Sequence, residues 1–108
     1  MKNLISWCEN NNIKTPIKLE IGLAKIDYRN CQTRYFRVYI NGHDVTQMIA
    51  NAVNLKLSKA KRTNNCLIVH GCGMDMGLAL QDRVYRAAYQ YNSNLFDKDD
   101  YIYLGRCK

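Results

Sequence analysis

Residues 70–77, HGCGMDMG, place a histidine, a cysteine and an aspartate among three glycines. Glycines permit positive φ and close approach of the backbone, and the free N–H groups at a helix N-terminus bind anions. A strand before this turn and a helix after it therefore permit, but do not require, a site for a phosphate or a carboxylate. The candidate ligand-binding residues are Gly71, Cys72, Gly73, Asp75 and Gly77. The alternative is a tight turn in which Asp75 caps the helix, because the spacing matches neither the dinucleotide-binding nor the phosphate-loop motif.

The same turn contains a candidate nucleophile for thiol chemistry. A helix N-terminus lowers a thiol pKa, so Cys72 could attack a substrate while backbone amides stabilise the oxyanion. His70 would lie on the same side of the strand and is the candidate base, but a base so near in sequence rarely reaches the sulfur in line. A small buried cysteine between glycines is the commoner case. We therefore expect no enzymatic activity, with a small thiol enzyme as the alternative.

The cysteines predict reduced thiols rather than a disulfide framework. There are five of them, an odd number, and no two form a CxxC pair. A zinc site would require the fold to assemble Cys66, His70, Cys72 and Cys107. We expect no metal and no cofactor.

The charge of the chain favours an anionic partner. Sixteen Lys and Arg against nine Asp and Glu give a net charge of +7, which attracts nucleic acid, a nucleotide or an acidic protein face. Two arginines, Arg29 and Arg34, flank a predicted hairpin tip. Lys59, Lys61 and Arg62 lie in the segment SKAKRTNN at 58–65. We predict that these five residues form a binding surface, the alternatives being solubility alone and, for 58–65, cations that complement a helix C-terminus.

Tyrosine content points to the same class of partner. The chain has eight tyrosines against two phenylalanines and one tryptophan, and tyrosine suits hydrated interfaces. Tyr28 and Tyr35 lie beside the two hairpin arginines, where their rings could stack on bases. The alternative is an ordinary sheet surface of cross-strand pairs.

The pattern of apolar residues predicts one α+β domain over residues 1–108: an antiparallel sheet of three to four strands with two main helices packed on one face. The predicted elements are a helix at 3–10, a hairpin at 17–41, a helix at 45–57, a strand at 66–70, a helix at 75–92 and an edge strand at 101–105. The apolar phase of the first hairpin strand changes parity, which predicts a β-bulge near Gly22. Continuous apolar character predicts that strand 66–70 is buried on both faces in the middle of the sheet.

The N-terminus lacks the apolar core of a signal peptide, and no apolar run reaches the length of a membrane span. We therefore expect a cytoplasmic protein with no membrane partner. The exposed edge strand leaves a monomer or a homodimer open.

The strand-turn-helix motif LIVHGCGMDMG at 67–77 resembles a family of small uncharacterised proteins of bacteriophages and prophages. Arg29 and Arg34 match the arginine-rich strand opening of that family, whereas its serines are replaced here and its aromatic residue after the last motif glycine is Leu78. The resemblance covers about residues 24–91. It implies an accessory protein of a mobile element, made in the bacterial cytoplasm, that binds and inhibits a host defence nuclease or its nucleic acid in the manner of an anti-CRISPR inhibitor, or sequesters a nucleotide. The positive charge argues against an inhibitor that mimics DNA.

Overall fold

A computed structural model describes residues 4–27, 32–71, 80–98 and 100–106. Within these ranges the chain forms three α-helices and one mixed sheet. The elements are α1 (Leu4–Asn10), β1 (Glu20–Asp27), β2 (Gln32–Ile40), β3 (His43–Asp44), α2 (Thr46–Val53), a 3₁₀ turn (Lys61–Thr63), β4 (Leu67–Gly71), α3 (Leu80–Tyr91) and β5 (Ile102–Arg106). The α+β class predicted from the sequence is confirmed, with three helices and five strands in the described ranges.

The central pair of strands, β1 and β2, is antiparallel and contains the expected bulge. The register passes from Leu23 opposite Phe36 to Lys25 opposite Tyr35. Ala24 is therefore the extra residue, and the bulge lies two positions beyond Gly22. One inserted residue reverses the side-chain alternation, so Ile26 returns to the face that carries Leu23.

The sheet is mixed, which corrects the fully antiparallel prediction. Strand order is β3-β2-β1-β5, and β4 pairs antiparallel with β2 on the side away from β1. β5 runs parallel to β1. The chain returns from α3 to the start of β1, where Ile17 bridges Phe96 in parallel and the N–H of Ile102 donates to the carbonyl of Leu19. β5 continues in that direction. Periodicity detects such a strand but does not specify its pairing partner.

β4 is not the doubly buried central strand that was predicted for 66–70. Only β2 pairs with it among the described strands, and residues 56–58 cover its outer side through a bridge between Leu57 and Leu67. Leu67 is buried, Ile68 is partly exposed and His70 is exposed. One face of β4 is therefore open.

The helix predicted at 45–57 is shorter in the structure. α2 begins at Thr46, whose N–H donates to a carboxylate oxygen of Asp44 at 3.0 Å. It ends at Val53 because Asn54 adopts a left-handed conformation with φ 59°. Residues beyond Asn54 instead pair with β4, which the helical spacing of Leu57 did not indicate.

The core lies between one face of the sheet and the helices. Its sheet residues include Ile21, Phe36, Val38 and Val69, and α2 and α3 pack against this side through side chains such as Ile49 and Val84. We call this the buried face of the sheet and the other the open face. Of the helices in the described ranges, none combines the length and apolar character needed to cross a membrane.

Candidate nucleic-acid interface

Strand β2 presents two tyrosines and an arginine on the open face. Its buried residues alternate with Tyr35, Arg37 and Tyr39, each of which is partly exposed. Successive side chains of a strand point to opposite faces, so these three lie on one side of the sheet. The separation of Tyr35 and Tyr39 along the strand is about 13 Å at the usual rise per residue.

A row of side chains crosses the open face through Tyr35. Lys25 of β1 and Ile68 of β4 are the direct neighbours of Tyr35 across the two ladders. The N–H of Ile68 donates to the carbonyl of Lys56 at 2.9 Å, which places Lys56 beyond Ile68 in the same row. Cross-strand neighbours share a face. Both lysines are exposed, so each end of this apolar and aromatic row carries a cation.

Glycine leaves the sheet flat beside Arg37. Gly22 is the neighbour of Arg37 on β1, and Gly105 of β5 follows it in the same row. A Cβ at Gly105 would meet no atom within 4 Å. These two positions carry no side chain, although Gly22 is itself buried by its neighbours and Gly105 is partly exposed.

The far end of the open face, beside Tyr39, carries acidic groups that are already engaged. Asp44 forms an ion pair with Arg37, in which Nη1 and Oδ2 are 3.7 Å apart. Its carboxylate also accepts a hydrogen bond from the hydroxyl of Thr46 at 2.6 Å. Glu20 accepts the N–H of Gly42 at 3.3 Å. The ion pair with Asp44 is solvent-accessible and weak by its geometry, so Arg37 remains able to contact a phosphate.

A basic loop, residues 58–65, borders β4 and is fixed by buried hydroxyls. Ser58 Oγ and Thr63 Oγ1 lie 2.6 Å apart, and both side chains are buried. The N–H of Asn65 donates to the carbonyl of Ser58 at 3.0 Å. These contacts hold Lys59, Lys61 and Arg62 on the outside, where all three are exposed. The sequence contains no Asp or Glu from 45 to 74, so no acidic residue of this stretch offsets their charge.

The open face and the basic loop are connected. A groove of about 270 Å³ has Arg37, Asp44 and Asn65 among its lining residues. Asn65 ends the loop, and Arg37 is the central residue of the open face. Together these regions combine two partly exposed aromatic rings with six cations. The cations are Lys25, Arg37, Lys56, Lys59, Lys61 and Arg62.

The structure does not bring the five basic residues predicted as one binding surface together. Arg34 is opposite Val69 near the end of β4, whereas the basic loop adjoins the start of that strand. The side chain of Arg34 belongs to the buried face and makes contacts within the protein. Arg29 lies outside the described residues. Lys59, Lys61 and Arg62 therefore belong to a surface with Lys25, Arg37 and Lys56, which the sequence analysis did not select.

Most of the glycine-rich turn lies outside the described residues, namely Cys72, Gly73, Asp75 and Gly77. Gly71 ends β4 opposite Gln32, which is the first described residue of β2. Nδ1 of His70 is 3.0 Å from the hydroxyl of Thr33, and Arg83 donates to the carbonyl of His70 at 2.8 Å. Within the described residues, no group of three or more His, Cys, Asp and Glu side chains is arranged to hold a metal ion.

The described cysteines are structural. Cys8 and Cys66 are buried, and burial raises the pKa of the Cys8 thiol. A raised thiol pKa lowers the thiolate fraction and hence the reactivity. Neither residue therefore extends the thiol chemistry considered for Cys72.

No known protein family, curated protein or solved structure matches this chain. The interpretation of the site therefore depends on its own geometry. The resemblance of the 67–77 motif to bacteriophage proteins stays a prediction.

Proposed function

We propose that the protein is a non-enzymatic binding protein for single-stranded nucleic acid, which lies across the open face with its backbone along the basic loop. The observation that carries this proposal is the placement of Tyr35 and Tyr39 on either side of Arg37, on the face opposite the helices. Stacking of bases on aromatic side chains of a sheet is a general mode of single-strand recognition.

A single strand suits this surface better than a duplex. The faces of paired bases are covered by their neighbours in the stack, whereas unpaired bases are free to lie on tyrosine rings. Every base has a π-face, so stacking alone predicts little dependence on base sequence. A guanidinium between the two rings adds a contact for a phosphate of the backbone that runs between the two stacked bases.

The cations supply affinity for the strand and determine which end of the open face lies nearest its phosphates. Lys25 and Lys56 flank Tyr35, and the basic loop extends the positive surface beyond β4. Contacts between Lys or Arg and phosphates release counterions, so binding should weaken steeply as salt concentration rises. The acidic groups gather beside Tyr39, and we therefore place the closest phosphates at the Tyr35 end.

The biological role follows from the resemblance rather than from the site. We propose that the protein acts in the bacterial cytoplasm as a bacteriophage-type inhibitor of a host defence nuclease, and that it does so by occupying the guide or target strand of that nuclease. Net positive charge and the open face support this mode over contact with a basic protein surface. Ligand binding by the 71–77 turn stays a separate prediction.

Charge reversal in the basic loop tests the proposal. The triple variant K59E, K61E and R62E should lower single-strand affinity and reduce the steepness of the plot of log affinity against log salt by about two, at about 0.7 per lost phosphate contact. Fluorescence anisotropy with a labelled strand of about 12 nucleotides measures both effects.

The matched control is the triple variant K14E, K98E and R106E, which changes the net charge equally at exposed residues outside the basic loop and outside the row through Tyr35. Lys14 lies in a groove with Glu20, at the acidic end of the open face, where the proposal places no close phosphate. Its affinity should fall less and its salt slope should stay near that of the wild-type protein. Equal losses in the two triple variants would show that attraction depends on total charge and not on this loop.

A further inference from the structure

A second cavity lies on the helix side of the sheet, between α3 and the start of β5, where the proposed function does not use it. Its volume is about 250 Å³. The lining residues are Asp82, Tyr85, Arg86, Tyr89, Gln90 and Tyr101. We call it the tyrosine groove. It is smaller than the roughly 300–1,000 Å³ typical of sites for drug-sized ligands, so it suits a ligand of a few rings.

Three tyrosine rings form the apolar part of the tyrosine groove, with Tyr85 stacked against each of the other two. The rings of Tyr85 and Tyr101 have centroids 5.0 Å apart at 26°, and those of Tyr85 and Tyr89 are 6.2 Å apart at 27°. Tyr85 is buried, while Tyr89 and Tyr101 are partly exposed. The outer two rings therefore offer surface on which a planar ligand can stack, with the third ring holding them in place.

The polar part of the tyrosine groove has a carboxylate held by a hydrogen bond and an exposed cationic side chain. The hydroxyl of Tyr101 donates to the carboxylate of Asp82, and burial together with this hydrogen bond raises the pKa of Tyr101. A carboxylate has two oxygens, so Asp82 can accept a further donor from a ligand. Arg86 and Gln90 are exposed. Their side chains supply a positive charge and an amide one turn apart.

We propose that the tyrosine groove binds a mononucleotide. The base stacks on Tyr89, its polar edge is hydrogen-bonded by Asp82 or Gln90, and its phosphate is paired with Arg86. Neither a purely apolar ligand nor an inorganic anion would use both parts of the site. This proposal is independent of the open face, because α3 packs against the opposite side of the sheet.

Calorimetric titration with the four ribonucleoside 5′-monophosphates, the parent nucleosides and inorganic phosphate tests the proposal. At least one monophosphate should bind, and the corresponding nucleoside should bind more weakly. Titration with inorganic phosphate alone should give no detectable heat. Y89A should weaken the monophosphate about tenfold, as expected for loss of one stacked base. R86Q should remove the preference for the monophosphate over the nucleoside.

Matched controls are Y91A and R106Q, which alter an exposed tyrosine of the same helix and an exposed arginine of β5 outside the tyrosine groove. Both should bind the monophosphate as the wild-type protein does. The proposal is overturned if no monophosphate binds or if Y89A and R86Q bind it normally. Single-strand binding that persists in Y89A separates failure of this site from failure of the open face.

Discussion

Replacement of both Tyr35 and Tyr39 by alanine should weaken binding of a single strand of about 12 nucleotides by about 30-fold or more. Each base stacked on an aromatic ring contributes about 1–3 kcal/mol, and about 1.4 kcal/mol corresponds to a factor of ten in affinity. Fluorescence anisotropy at fixed salt measures this change. Both side chains lie on the open face and outside the core cluster, so thermal denaturation should show a folded variant.

Two further variants separate stacking from general effects of tyrosine loss. Y35F with Y39F should keep most of the affinity, because the ring provides the stacking surface and the hydroxyl does not. Y91A with Y103A removes two tyrosines that are each 41% exposed but lie away from the open face. If this control loses as much affinity as the Tyr35 and Tyr39 variant, the open face is not the binding surface.

Replacement of Thr46 by valine should lower the free energy of unfolding by about 1–3 kcal/mol, the usual cost of a buried donor left without a partner. Thr46 is 1% exposed, and its hydroxyl accepts the N–H of Val38 at 2.9 Å. Val38 lies on β2 between the stretches that pair with β3 and with β4. The Thr46 hydroxyl therefore completes that edge of the ladder, and valine has nearly the same shape without the acceptor.

Thermal and urea denaturation measure this effect. The melting temperature of T46V should fall by roughly 4–8 °C for each kcal/mol lost, as is typical of domains of this size. T46S keeps the hydroxyl and should lose only the contribution of one buried methyl group, about 0.8 kcal/mol. A T46V protein at least as stable as T46S would contradict the assigned role of the hydroxyl.

The alternation of residues in β1 and β2 made the hairpin and its bulge predictable. A change of apolar parity within one strand has few explanations, and a single extra residue at Ala24 satisfies it. The same alternation also puts Tyr35, Arg37 and Tyr39 opposite the buried residues of β2. That signal was in the sequence, and it also places Arg34 on the other face, contrary to its grouping with the basic loop.

Other features depend on tertiary pairing and have no local signal. Lys56 and Ile68 become neighbours only because residues 56–58 pair with β4 instead of extending α2. The helical spacing of Leu57 was compatible with either outcome, and Asn54 in a left-handed conformation decided between them. The parallel direction of β5 likewise follows from its contact with residues 17–19, far away in sequence.

The basic loop was identified from its charges, but its rigidity was not. Ser58 and Thr63 look like ordinary loop residues, since Ser and Thr are mostly exposed in proteins. In the structure both side chains are buried, and their hydroxyls are hydrogen-bonded to each other. Such a pair is hard to infer without the strand that covers it, whereas the run of cations beside it is evident in the sequence.

Backbone amide shifts in a ¹H–¹⁵N NMR titration with a single strand of about 12 nucleotides test the central claim most directly. Binding at the open face predicts that the largest changes fall at 25, 35–39, 56–62 and 68, while the amides of α3 change little. Changes concentrated in α3, or in the residues that flank the 71–77 turn, with none along β2, would contradict it.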